Sequence, residues 1–229
     1  MTSGLAHRLA VVRRRVDAAA TESGRDPSSV TLISVGKTFG TEVVAEAVTS
    51  GATDVGENRV QEAVAKKPGV PGARWHLIGP LQRNKARAAL EVFDVVHTVD
   101  RFEIADRLQY LLTEHWPERR LEVLLEVNVA EEPQKAGVDP GEAVELLEHV
   151  LGCDRLMVRG LMAIPPWSED AEASRPWFRQ LRELRDRLEV EGNHPLPELS
   201  MGMSHDFEIA IAEGATMVRV GTAIFGPRG

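Results

Sequence analysis

Lys37 closes the run SVGK, in register with Thr31, Ile33 and Val35 of an apolar, β-branched stretch, so side-chain alternation puts its amine on their face. If that face lines a barrel, the amine is partly desolvated. Burial penalises the ammonium form and lowers the lysine pKa from about 10.4, which is what imine formation with an aldehyde requires. The alternative for a strand-end lysine is to snorkel into solvent. Near the C-terminus, LSMGMS runs into HDFEIAIAEGATMVRVGTAIFG. Ser204 stands where a strand hands over to a helix, so its hydroxyl and the free N–H groups of that helix can bind an anion, and a plain serine N-cap is the competing reading. Gly221 and Thr222 end the next strand, where backbone amides approach a phosphate unhindered and a hydroxyl adds a donor. Arg219 lies two residues before Gly221, on the same face. A guanidinium donates to a heteroaromatic nitrogen without surrendering its proton, which keeps a pyridine neutral and weak as an electron sink.

Other motifs carry less. The string VGKT lacks the glycine of a phosphate loop, since Thr31 stands in its place. Ser204, His205 and Asp206 are adjacent in sequence, whereas a hydrolase triad converges from separate segments. The seven histidines include no His-x-x-x-His pair, and no metal site is expected.

The elements that must position these residues follow from the hydrophobic pattern. Strands are predicted at 30–37, 54–57, 75–79, 93–99, 121–129, 156–164, 199–203 and 217–222, with helices between them at about 41–50, 58–66, 82–90, 101–114, 140–151, 175–191 and 206–213. Asp100 with Glu103, and Asp139 with Pro140 and Glu142, read as helix starts. Leu5, Leu9, Val12 and Val16 mark an additional N-terminal helix. The alternation has no long linker, so 1–229 reads as one (β/α)₈ barrel domain of the TIM type. That fold does its chemistry at the C-terminal strand ends and commonly holds phosphate after strands 7 and 8.

Composition closes off whole classes. With 43% hydrophobic and 27% charged residues the chain is an ordinary globular protein, and 27 basic against 35 acidic residues leave a net charge of -8, opposite to what a phosphate backbone needs. Nucleic acid is therefore excluded as a general partner. No apolar run approaches the roughly 20 residues that span a bilayer and no leader-like segment opens the chain, so a cytoplasmic protein without membrane contact is expected. Cys153 is the single cysteine, has no internal disulfide partner and is expected to pack. A closed barrel has no free sheet edge and no heptad seam is visible, so a monomer is expected.

Taken together, SVGKT around Lys37, GENRVQE from Gly56 to Glu62, WHLIGPLQRNK from Trp75 to Lys85, VNVAEEPQKAG from Val127 to Gly137, GLMAIP from Gly160 to Pro165, LSMGMSHDFEIAI and VRVGTAIFG form a colinear, specific set. In these segments the chain resembles the pyridoxal 5′-phosphate homeostasis protein family, also called alanine racemase N-terminal-domain-like. The resemblance implies a (β/α)₈ barrel that holds pyridoxal 5′-phosphate (PLP) as an internal aldimine on Lys37, with Asn58 beside the cofactor, Ser204, Gly221 and Thr222 on the phosphate and Arg219 facing the pyridine nitrogen. One departure is Gly36, where the family more often carries serine. The family is understood to keep the reactive cofactor bound and available, a vitamin B6 homeostasis role without established turnover, with apo PLP enzymes as recipients. The competing reading is a PLP-dependent amino-acid racemase. Such a racemase needs a second base, a tyrosine linked to an extra β domain; here the chain ends at Gly229 just after strand 8, and its only tyrosine, Tyr110, falls inside a predicted helix.

Overall fold

The computed structural model describes residues 4–132 and 134–227. Eight parallel strands, β1 (Thr31–Val35), β2 (Asp54–Glu57), β3 (Arg74–Leu77), β4 (Val95–Val99), β5 (Leu121–Glu126), β6 (Leu156–Met162), β7 (Glu198–Met203) and β8 (Met217–Val220), close into a barrel in sequence order, with β8 paired back to β1. Helices α1 (Gly4–Glu22), α2 (Thr41–Thr49), α3 (Val60–Lys66), α4 (Ala86–Val92), α5 (Phe102–His115), α6 (Ala143–Leu151), α7 (Arg175–Glu191), α8 (Phe207–Ala212) and α9 (Thr222–Phe225) cover its outside. This is the expected barrel, and α1 is the expected extra helix. None of the described helices is long and apolar enough to cross a membrane.

The main apolar core lies between barrel and helices, built from outward strand residues such as Leu32, Val55, Trp75 and Leu77 and the helix stripes Leu5–Leu9–Val12–Val16 and Phe178–Leu181–Leu184–Leu188. Inside the barrel the apolar filling is thin: Val95, Leu124 and Met162 form a cluster of their own. The buried polar residues Asp54, His76, His97, Ser200 and Arg219 come from five of the eight strands, β2, β3, β4, β7 and β8.

Strand ends and caps differ from the sequence reading. β1 stops at Val35 and β8 at Val220, because the mouth loops turn away as soon as the ladder runs out. Lys37 thus lies in a turn after β1, while Gly221 caps α9 and Thr222 opens it. Asp139 accepts from the Gly141 N–H at 2.7 Å in a turn before α6, which starts only at Ala143. Asp100 pairs with Arg101 and does not cap α5. On α7, Arg175, Arg179 and Arg182 all converge on buried Glu213, pinning α7 to the end of α8.

Candidate functional site

At the barrel mouth a cavity of about 340 Å³ is lined by all six residues singled out from the sequence, namely Lys37, Asn58, Ser204, Arg219, Gly221 and Thr222. Apolar walls come from Val35, Ile78 and Met203, and the rim carries Ile164 and the largely exposed Trp167.

The Lys37 turn is built under constraint. The Gly36 N–H still bonds to Gly56 O at 3.0 Å, so the first residue beyond β1 remains anchored to β2. Thr38 then adopts φ 72, a left-handed conformation that costs a β-branched residue on the order of 1–3 kcal/mol and persists only where the surroundings enforce it. They do so here: the Thr38 N–H donates to Glu62 Oε2 at 3.2 Å, and Gly36 O accepts both from Phe39 N at 3.1 Å and from Lys66 Nζ at 3.0 Å. Lys66 Nζ also donates to Glu57 Oε1 at 2.7 Å, and this ion pair is fully buried. Burial pushes the Glu57 carboxyl above its usual range even though the Lys66 ammonium opposes the shift. A Cβ added at Gly36 would lie 2.8 Å from Val44 Cγ2 and 3.2 Å from Glu57 Oε1, so a serine here would have to displace its neighbours. Phe39 stacks on Phe225 at 5.1 Å between centroids, tying the turn to α9.

Ser204 does not cap α8. Asp206 occupies that position, with Oδ1 accepting from Met203 N at 2.7 Å and Oδ2 from Ser174 Oγ at 2.9 Å. The Ser204 hydroxyl instead reaches across to the start of α9, accepting from Gly221 N at 3.2 Å and Ala223 N at 3.5 Å. The ends of strands 7 and 8 therefore offer a hydroxyl and converging backbone donors at one spot. Asn58 Oδ1 is buried at the opposite wall with no hydrogen-bond partner among the described residues, an unmet acceptor that suits a ligand donor. Arg219 donates through Nη1 to Ser200 O and Oγ, each at 2.6 Å, and through Nη2 to Ala163 O at 2.9 Å. Burial pushes its guanidinium down to about 10, leaving it charged at neutral pH.

Glu126, at the end of β5, went unremarked in the sequence because nothing marks a strand glutamate as inward-facing. It is buried, its Oε2 has no partner among the described residues, and its pKa is raised to about 7 by burial and by Asp100, against the pull of Arg219 and Arg101. An acid raised in the folded state costs nothing below its unfolded pKa near 4.5, costs more as the pH rises toward 7, and carries the full cost above that. Glu126→Gln should therefore stabilise the protein by up to about 3 kcal/mol at pH 8 and leave it unchanged at pH 4. Thermal denaturation at the two pH values checks this, and an equal effect at both would refute the assignment.

Lys66, Glu57 and Glu62 were likewise missed as parts of the site, although the spacing from Glu62 to Lys66 is that of a helical ion pair. Away from the mouth, Asp106, His149 and Cys153 bring three ligand-type atoms within 4.8 Å of one another, a grouping that their separation in sequence hides; His149 there is engaged by Asp106 at 2.7 Å.

The chain has well-matched relatives among known proteins. Residues 7–229 match the family described as "Alanine racemase, N-terminal domain". The chain is 44% identical over 223 residues to the pyridoxal phosphate homeostasis protein of Aquifex aeolicus (strain VF5), covering 96% of this chain and 97% of that protein. The structure of PipY from Synechococcus elongatus PCC7942 with PLP bound has a TM-score of 0.84 and 39% identity, covering 97% of this chain and 100% of that one. Alanine racemase of Clostridium difficile 630 shares the fold at 13% identity and TM-score 0.76, with 97% of this chain matched to 57% of that one. With such identity along nearly its whole length, the chain belongs to the pyridoxal phosphate homeostasis protein family.

Proposed function

We propose that this chain binds PLP at the barrel mouth, stores it covalently on Lys37 and yields it to apo-enzymes without turning over a substrate of its own. The observation that carries the reading is the meeting, in one cavity of about 340 Å³, of a strand-end lysine, a hydroxyl with converging backbone donors, and a buried arginine. That volume lies within the range of small-molecule sites. When bound, the cofactor supplies an aldehyde carbon for a lysine amine and an electron-withdrawing ring.

The chain's own residues have separate tasks. Lys37 presents the amine from a braced turn. Ser204, whose hydroxyl accepts from the Gly221 and Ala223 N–H groups and so keeps its own proton to donate, holds the phosphate, with Thr222 beside it. Val35, Ile78 and Met203 exclude water from the ring, and Asn58 accepts a donor at its edge. Arg219 donates to the ring nitrogen and keeps its own proton, which leaves the ring a poor electron sink and disfavours loss of a substrate α-proton. Among the described residues no tyrosine lines the mouth, where a racemase of this fold would need its second base. Tyr110, the chain's one tyrosine, is on α5, exposed, in a separate cavity with Arg83, Glu103 and Arg107.

The test loads the protein with PLP, incubates it with L-alanine and follows D-alanine by chiral chromatography, beside reactivation of an apo-aminotransferase. Reactivation without D-alanine is expected. Racemisation within the usual enzyme range, with a median near 10 per second, would replace storage by the racemase reading. Each charge-assisted bond to the phosphate contributes about 1.5–3 kcal/mol. Ser204→Ala should thus weaken PLP binding by roughly ten- to a hundredfold while leaving pyridoxal binding nearly unchanged. Equal affinity of the wild type for PLP and pyridoxal, by equilibrium titration, would refute the phosphate grip.

A further inference from the structure

Barrel interiors are ordinarily filled by layers of branched aliphatic side chains. Here a line of polar groups crosses the interior from β2 to β8. Arg219 Nη1 donates to Ser200 Oγ at 2.6 Å; Ser200 Oγ lies 2.9 Å from His97 Nδ1; His97 Nε2 lies 2.9 Å from His76 Nδ1; and His76 Nε2 lies 2.9 Å from Asp54 Oδ1. Thr53 Oγ1 secures the other Asp54 oxygen at 2.7 Å. All five members are buried, and His76, His97 and Ser200 have no exposed surface at all.

The order of hydrogens along this line follows from its ends. Arginine has only donors and a carboxylate only acceptors. Ser200, having accepted from Arg219, points its own proton at His97 Nδ1. His97 is then protonated on Nε2 and donates to His76 Nδ1, and His76 is protonated on Nε2 and donates to Asp54. Every link is satisfied with both imidazoles neutral. A doubly protonated His76 would instead reverse the links, with His97 protonated on Nδ1 and Ser200 Oγ accepting from both His97 and Arg219, and would add a buried charge that the neutral order does not require. Burial above all holds His97 well below its ordinary pKa, in keeping with a neutral ring. Asp54 stays ionised: burial alone would raise it, but the bonds from His76 and Thr53 outweigh that and hold it below the usual range.

We propose that Asp54, His76, His97 and Ser200 are positioning residues, a one-directional hydrogen-bond line that fixes Arg219 as a rigid, charged donor toward the ring nitrogen of the bound cofactor. Three of the five Arg219 donors are committed to Ser200 and Ala163, which leaves the guanidinium no freedom to turn away from the mouth. The Asp54 carboxylate balances the guanidinium charge across the barrel through two neutral rings. The assignment of the ring nitrogen to Arg219 rests on the function proposed above, whereas the order of the line does not.

The test begins on cofactor-free protein. Imidazole ¹⁵N–¹H correlation at pH 7 should show His76 and His97 each carrying one proton, on Nε2; an Nδ1–H tautomer or a doubly protonated ring at either position would overturn the proposal. In the same protein, Asp54→Asn should speed hydrogen exchange of the Arg219 side chain by about tenfold or more, as Ser200→Ala does, because both loosen the same line. If Ser200→Ala speeds exchange and Asp54→Asn does not, Ser200 acts alone and the line is refuted. PLP-loaded protein separates the two readings. Arg219→Lys should change the absorbance of the bound cofactor; if it does not, the ring-nitrogen assignment fails, while the tautomer and exchange results still decide the line.

Discussion

Lys37→Ala protein, incubated with PLP and reduced with borohydride, is expected to carry no pyridoxyl label, whereas the wild type carries one on the peptide containing Lys37. The loss should be complete, because a covalent bond needs its amine and no other lysine among the described residues lines the mouth cavity. Lys85 and Lys135 are the useful comparisons: Lys85 lines a neighbouring cavity with Arg59 and Gln82, and Lys135 pairs with Glu132 at 2.8 Å. A label mapped by peptide mass to either would overturn the assignment. Lys37 is half-buried, so thermal denaturation of the variant beside the wild type is run with the labelling, and a folded variant without label is the expected result.

Lys66→Met should produce the largest effect on stability of any single substitution at the site, a loss of about 3–5 kcal/mol, since it leaves the Glu57 carboxylate buried without its partner. That is a large share of the total stability of a typical domain, about 5–15 kcal/mol. The pH dependence identifies the cause. The Glu57 pKa is already raised by burial, and without Lys66 it rises further, so the deficit should be small near pH 4, where the carboxyl is protonated in both states, and grow as the pH rises through the folded pKa. Adding Glu57→Gln should recover most of the loss at pH 8. Denaturant titrations at the two pH values check this, and a deficit independent of pH would mean that lost packing, and not the orphaned charge, is responsible. The same variant frees Gly36 O and so loosens the turn that carries Lys37. Slower attachment of PLP is expected to accompany the lower stability.

These two residues separate what is legible in the chain from what is not. Lys37 could be found because strand alternation is local: a lysine in phase with Ile33 and Val35 shares their face, and Ile33 is in register with Arg219 and Asp54 in the barrel. Arg219 was legible for the same reason, and Gly221, Thr222 and Ser204 by their places at strand ends. The eight strands, the N-terminal helix and the barrel closure likewise followed from periodicities two and 3.6 residues long, which depend on near neighbours only. The departures were also local, up to three residues at strand ends, up to four at helix starts, and the helix caps at Asp100 and Asp139, where turn geometry overrides propensity.

Lys66 was not legible, because nothing in VQEAVAK tells that its ammonium turns back to meet Glu57 and a carbonyl 30 residues upstream. The two roles open to Ser204 from the sequence, helix cap or anion ligand, were decided only by the crossing of β7 and β8, which carries its hydroxyl to Gly221 and hands the cap to Asp206. Asp54, His76, His97 and Ser200 span 147 positions and have no common motif, yet the barrel's closure sets them end to end. The chain by itself determined which side chains point inward, because that is a property of alternation along one strand. Which of them touch was decided by the tertiary structure, because the stagger between strands sets their relative heights, and no single segment encodes that stagger.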